Sequence, residues 1–144
     1  MKLMLLHGAN LNWLGKRDPK HYGTLSLVDI EQLTANAAAN YSCEIRTYQS
    51  NHEGNLIDYL QLNAADCAGI IINPGAFTHY SYAIHDALLD TGLPVVEVHL
   101  SAIEQREPWR QHSVIAPACI KSISGKKELG YTEAVTILME HVNQ

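Results

Sequence analysis

Apolar strand-like runs alternate with helical patterns along the chain, and this alternation limits the fold more than any other feature. The strand candidates are Lys2–Leu6, Cys43–Gln49, Ala68–Ile72, Val95–Leu100 and Cys119–Ser124. Four of the five are rich in Ile, Val or Leu with weak alternation, the pattern of parallel strands covered on both faces. Cys43–Gln49 is the polar one and suits a sheet edge. Ser26, with Asp29 three residues on, opens a helix through an approximate capping box. Leu27, Ile30, Leu33 and Ala37 give that helix one apolar stripe. A second helix is expected from Asn55 to Ala65, with Leu56, Ile57 and Leu60 inward. A third spans Tyr80 to Thr91 and is stopped by Gly92 and Pro94. The last starts near Thr132 and carries Val135, Leu138, Met139 and Val142.

Strand–helix units repeated five times, joined by right-handed crossovers, fold into a three-layer sandwich. The expected fold is α/β and flavodoxin-like: a five-stranded parallel sheet in the order 2-1-3-4-5. It forms a single domain over residues 1–144. The switch point of that order lies between strands 1 and 3, so the site belongs beside the loops that follow them.

Hydrophobic residues make up 47% and charged residues 17% of the chain, a globular composition. Ten Lys and Arg against fifteen Asp and Glu leave a net charge of −5, with no basic cluster. That excludes a nucleic-acid surface or an anionic membrane surface. Cys43, Cys67 and Cys119 are odd in number and far apart, as in buried thiols of a cytoplasmic protein and not in a disulfide frame or zinc knuckle. Met1–Leu6 is too short for the apolar part of a signal peptide, and no apolar run reaches membrane-spanning length.

The connection after strand 1, His7 to Gly23, is far longer than the about 2–6 residues that such a connection needs. It holds Asn10, Asn12, Arg17 and Tyr22. A free Tyr, with a pKa of about 10, is a poor base at neutral pH. A guanidinium beside it favours the phenolate, and a drop of about two pH units corresponds to roughly 2.7 kcal/mol. Tyr22 therefore becomes a base if Arg17, together with Arg106, approaches it; otherwise it is a hydrophobic anchor for the loop. On strand 4, Glu97 and His99 are two apart and share a face. A Glu inside a buried strand is costly unless paired, and the pairing gives an imidazole oriented by a carboxylate. After strand 3, Asn73-Pro74-Gly75 sets a tight turn that brings backbone N–H groups near a ligand. Asn73 and His79 there either bind substrate hydroxyls or cap the strand and the helix. Arg106 and Arg110 after strand 4 suit an anion, or else form a solvated, salt-bridged turn.

Other chemistries fit poorly. No His pair has the HExxH spacing, the Cys are scattered, and His79 and His85 are six apart on a helix, so no metal is expected. The strand ends Leu6, Asn73 and Leu100 offer no Lys for a Schiff base. The first loop is not a phosphate cradle for a flavin, and His7 stands where a phospho-receiver needs acids.

Five motifs in order carry a resemblance over essentially the whole chain. They are Gly8-x-Asn10-Leu11-Asn12-x-Leu14-Gly15-x-Arg17 with Tyr22-Gly23; Gln49-Ser50-Asn51-His52-Glu53-Gly54; Asn73-Pro74-Gly75-Ala76; Glu97-Val98-His99-Leu100-Ser101; and Arg106 with Arg110. Together they resemble type II 3-dehydroquinate dehydratase. The resemblance implies a cofactor-free dehydration of 3-dehydroquinate to 3-dehydroshikimate, in the shikimate pathway or in quinate breakdown. It implies Tyr22 as the base at C2, tuned by Arg17, and an enolate held through a water near Asn12. His99, oriented by Glu97, is the implied acid for the C1 hydroxyl. Asn73, His79, Leu100, Ser101 and Arg110 are implied as substrate ligands, with Leu100 and Ser101 acting through the backbone on the carboxylate. Asn10 and Arg106 support the site. Asp86 is implied to reach a neighbouring subunit's site in a dodecamer built from trimers, and the opening loop is implied to be a lid.

The chain departs from the family pattern at Ala9, Trp13, His85, Ala102, Pro108-Trp109 and Lys127. None of these removes a proposed catalytic group. Ala9 and Trp13 bear on lid stiffness, His85 and Pro108 on subunit contacts and the setting of Arg110. The competing expectation is a non-catalytic flavodoxin-like module that binds a cyclic hydroxy acid; an acid and a base kept together argue against it.

Overall fold

A computed structural model describes all residues, 1–144. One parallel sheet is built from β1 (Lys2–His7), β2 (Glu44–Gln49), β3 (Gly69–Asn73), β4 (Val95–Val98) and β5 (Lys121–Ile123), in the order β2-β1-β3-β4-β5. The polar strand is at an edge, as its sequence requires. The helices are α1 (Pro19–Tyr22), α2 (Leu27–Ala39), α3 (Glu53–Asn63), α4 (Tyr82–Asp90) and α5 (Leu129–Val142).

Successive strand residues face opposite sides, so the apolar run of β1 feeds two cores. Leu3 and Leu5 pack with Ile30, Val135 and Leu138 of α2 and α5. Met4 and Leu6 pack with Leu56, Leu60, Ile84 and Leu88 of α3 and α4. The capping box of α2 is complete: Ser26 Oγ accepts from the Asp29 N–H at 3.2 Å, and the Asp29 carboxylate accepts from the Ser26 N–H at 3.0 Å. No helix is long and apolar enough to cross a membrane.

The fourth strand–helix unit differs from expectation. Between β4 and β5 the chain makes three short 3-10 turns, Ile103–Gln105, Pro108–Arg110 and Ala116–Ala118, and no α-helix. Pro108 and Pro117 lack the N–H a helix interior needs. Helix α4 begins after His79, because Ser81 is its cap and accepts from the Ile84 N–H at 3.1 Å. His79 and His85 therefore do not share a helix. Helix α5 begins at Leu129, ahead of Thr132, and takes in Gly130, where a β-carbon would lie 3.1 Å from Val98 Cγ1. Close packing on the sheet outweighs the weak helix propensity of that glycine.

Two glycines join the first loop to the turn after β3. The Gly8 N–H donates to the Asn73 carbonyl at 2.7 Å, and a β-carbon on Gly8 would lie 2.0 Å from the Pro74 carbonyl oxygen. Gly75, at φ +62°, would place a β-carbon 2.6 Å from the Ala9 carbonyl oxygen. Only glycine allows the two backbones to approach this closely. All three cysteines are free thiols. Burial raises Cys43 and Cys67 and pushes Cys119 up to about 12, with the Glu97 charge adding to the last.

Candidate active site

At the carboxyl ends of β1, β3 and β4 lies a cavity of about 280 Å³. It sits at the switch point between β1 and β3. The loop after β1 contributes Asn10, Leu11, Arg17 and Tyr22 to its wall, and the turn after β3 contributes Asn73, Gly75, Ala76 and His79. The segment after β4 adds His99, Leu100, Ser101, Ile103, Arg106, Trp109 and Arg110. Three guanidiniums and no carboxylate line it, so an acidic chain encloses a cationic pocket.

Tyr22 is held by the one-turn helix α1. Asp18 caps that turn, accepting from the Lys20 N–H at 3.0 Å, and Pro19 occupies the first helical position. Arg17 lies over the Tyr22 ring with its Cζ 3.6 Å from the centroid. Arg106 Nη1 donates to the Tyr22 phenolic oxygen at 2.8 Å and to Ser101 Oγ at 3.3 Å. Burial pulls the Arg17 guanidinium down from its ordinary range; Tyr22 opposes this, and Arg106 and Arg110 add to it.

Glu97 is fully buried behind His99. His99 Nε2 lies 2.6 Å from Glu97 Oε2. The same carboxylate accepts from Thr78 Oγ1, from Ser113 Oγ at 2.9 and 3.0 Å, and from Ser122 Oγ at 2.9 Å. Burial alone would raise the Glu97 carboxyl. The His99 hydrogen bond and charge, then Thr78 and Ser113, outweigh it and hold the carboxyl below its ordinary range. An ionised Glu97 only accepts, so Nε2 of His99 carries a proton toward it and Nδ1 is the nitrogen left for the cavity.

Asn73 is oriented from both ends of its amide. Its Oδ1 accepts from the Gly75 N–H at 3.1 Å, and its Nδ2 donates to the Tyr131 hydroxyl at 2.9 Å. Tyr131 is fully buried, and burial raises its phenol. His79 Nδ1 lies 2.8 Å from the His112 carbonyl, which assigns the proton to Nδ1 and leaves Nε2 as the free nitrogen. Burial lowers His79, so its ring is neutral at physiological pH. Trp109 stands edge-on to His79 at 5.3 Å and under Arg110, whose Cζ is 4.0 Å from the Trp109 ring. Arg110 Nε also donates to Glu107 at 2.7 Å.

Two expected site residues lie elsewhere. Asn10 adopts a left-handed backbone, φ 69°, and borders the cavity. The turn Leu11–Trp13 that follows places Asn12 toward the end of β2, where its Oδ1 faces Gln49 Nε2 at 3.5 Å, outside the cavity wall. Asp86 is on α4, its side chain 75% exposed and 3.0 Å from His85 Nδ1, also outside this chain's cavity.

Residues 1–139 match the family model described as dehydroquinase class II. The chain belongs to the class II dehydroquinase family. Membership makes it an enzyme of the 3-dehydroquinate dehydratase class, a carbon–oxygen lyase. It is 50% identical over 135 residues to a 3-dehydroquinate dehydratase of Pelotomaculum thermopropionicum, covering 94% of each chain. It is 45% identical to Catabolic 3-dehydroquinase 1 of Neosartorya fischeri, covering 97% of this chain and 91% of that one. The crystal structure of type II dehydroquinase from Butyrivibrio crossotus superimposes with a TM-score of 0.93 at 40% identity, covering 96% of this chain and 97% of that one.

Several groups of this dehydroquinase's site carry no signal in its sequence. Thr78, Ser113 and Ser122 are single hydroxyls in three separate segments that the fold gathers at Glu97. Tyr131 reads as one more apolar helix position, yet its hydroxyl fixes Asn73. Trp109 forms cavity wall between His79 and Arg110.

Proposed function

We propose that the enzyme converts 3-dehydroquinate to 3-dehydroshikimate through an enolate, with Tyr22 as base and His99 as acid, and without a cofactor. The observation that carries this is the opposition of two differently equipped groups on one cavity: a phenol flanked by Arg17 and Arg106, and an imidazole backed by Glu97. The guanidiniums stabilise negative charge on the Tyr22 oxygen, which removes the C2 proton. The electron pair moves onto the C3 carbonyl as an enolate, held through a water near the opening loop. Asn10, which borders the cavity, suits that role better than Asn12. His99 then protonates the C1 hydroxyl and the C1–O bond breaks. The proton taken at C2 and the hydroxyl lost at C1 sum to one water.

Substrate binding follows from the remaining wall. The backbone N–H groups of Leu100 and Ser101 have no acceptor within the protein, and with Arg106 beside them they suit a carboxylate. Asn73, His79 and Arg110 suit the ring hydroxyls. The loop bearing Arg17 and Tyr22 acts as a lid that excludes water and completes the base.

The step serves the shikimate pathway or quinate breakdown, in the cytoplasm; three free thiols suit a reducing compartment. Assembly into a dodecamer of trimers is part of the same reading. Exposed Tyr82 and Leu89 on α4, beside Asp86, support a subunit contact there. Light scattering on the purified protein measures the subunit count. The deciding assay follows enone absorbance as 3-dehydroquinate is added. A rise at enzyme-like rates supports the lyase, and no rise from correctly assembled protein leaves only a binding module.

A further inference from the structure

Lys127 lies in the turn between β5 and α5 with φ +52°, a left-handed backbone that a residue with a β-carbon adopts only at a cost. Glycine would not bear that cost. The side chain is half-buried and is not solvated freely. It runs over Gly23, where a β-carbon would lie 3.9 Å from Lys127 Cδ. Its ammonium donates to the Lys20 carbonyl and, at 3.5 Å, to the Pro19 carbonyl. Both carbonyls belong to α1, the turn that carries Tyr22. The Pro19 carbonyl also accepts from the Gly23 N–H at 3.0 Å, whereas the Lys20 carbonyl has no backbone partner; a cation at the end of such a one-turn helix is well placed to satisfy it.

The backbone of the same turn is tied to the opposite side of the site. The Lys127 N–H donates to the Leu100 carbonyl at 3.2 Å, and the Gly125 N–H donates to the Ser101 carbonyl at 3.0 Å. Leu100 directly follows His99. One residue thus holds the segment next to the acid with its backbone and the turn bearing the base with its side chain.

We infer that Lys127 is a positioning residue for the dehydration: its ammonium latches the lid so that Tyr22 is set against His99. The latch rests on the reading of Tyr22 as base, but its structural half does not. It explains why a strained, half-buried lysine occupies a turn that glycine would fill without strain.

The test compares Lys127→Met, Lys127→Gly and Lys127→Arg with the parent enzyme. Steady-state kinetics on 3-dehydroquinate, thermal midpoints and hydrogen exchange of amides 10–23 are measured for each. Lys127→Met keeps the aliphatic stem and loses the ammonium. Its kcat/KM is expected to fall about tenfold, with faster exchange in the lid and an unchanged midpoint. Lys127→Gly is expected to show the same kinetic loss with an equal or higher midpoint, and Lys127→Arg to recover most of the rate. Parent-like kcat/KM in the Met and Gly variants, or losses that simply follow the midpoint, would overturn the latch. Tyr22→Phe run alongside separates the two readings. If it retains turnover, the base assignment fails, and the latch then stands or falls on whether Lys127→Met accelerates lid exchange.

Discussion

Arg106 donates a hydrogen bond from Nη1 to the Tyr22 phenolic oxygen at 2.8 Å, joining residues 84 positions apart. Arg106 leaves the segment after β4, whereas Tyr22 arrives on the loop after β1. The bond joins two walls of the cavity and sets a positive charge beside the atom proposed as base.

Removal of the phenolic oxygen tests that assignment directly. Tyr22→Phe keeps the ring that Arg17 covers and is expected to lower kcat by about 10³-fold or more, within the range of a lost general base. Dissociation constants from calorimetry should stay within a few-fold of the parent. Arg106→Gln keeps Tyr22 but weakens the charge at its oxygen. Its kcat should fall about 10- to 100-fold, roughly 1.4–2.7 kcal/mol of barrier. A parent-like rate in Tyr22→Phe removes Tyr22 as the base.

Glu97 gives a pH-dependent term to stability. Its carboxyl is held below the ordinary range in the fold, so its ionised form stabilises the native state. That contribution is present above the unfolded value, about pH 4.3. It is lost as pH falls through the lower folded value. Urea midpoints of the parent and of Glu97→Gln, measured from pH 7 down to pH 3, should show the parent losing more stability than the variant. Equal losses in the two proteins would show that Glu97 is not held ionised by its neighbours. The variant also breaks the orientation of His99, and its kcat should fall by about 10²-fold.

Tyr131→Phe separates orientation from packing. The ring stays in a fully buried position and only the hydroxyl is lost. Asn73 then keeps its bond from Gly75 and loses its Tyr131 partner. A hydrogen bond of about 1 kcal/mol corresponds to a roughly fivefold change, expected in KM with little change in kcat. An unchanged KM would show that Gly75 alone orients the amide.

Much of the fold is legible in the sequence because it rests on local pattern. Leu3 to Leu6 read as a strand buried on both faces, and they do feed two cores. The polarity of Arg46, Thr47 and Gln49 puts β2 at the edge, and Ser26 with Asp29 starts α2. The pairing of Glu97 with His99 follows from a strand period of two. Where pattern is weak, tertiary contact decides. Gly130 is helical because it packs on Val98. Ser81 caps α4 in place of His79, and prolines break the connection after β4 into short turns.

By itself, then, the sequence determined the strand order, the ends of the strands that hold the site, and the residue types that meet there: a phenol, guanidiniums, and an imidazole with its carboxylate. The tertiary structure decided which atoms meet. It placed Asn10 at the cavity and Asn12 beside Gln49, gathered Thr78, Ser113 and Ser122 onto Glu97, and set Lys127 across to α1. The physical reason is range. Strand and helix periods are set by neighbours a few residues away, whereas a hydrogen bond between distant loops depends on where a whole sheet brings their ends.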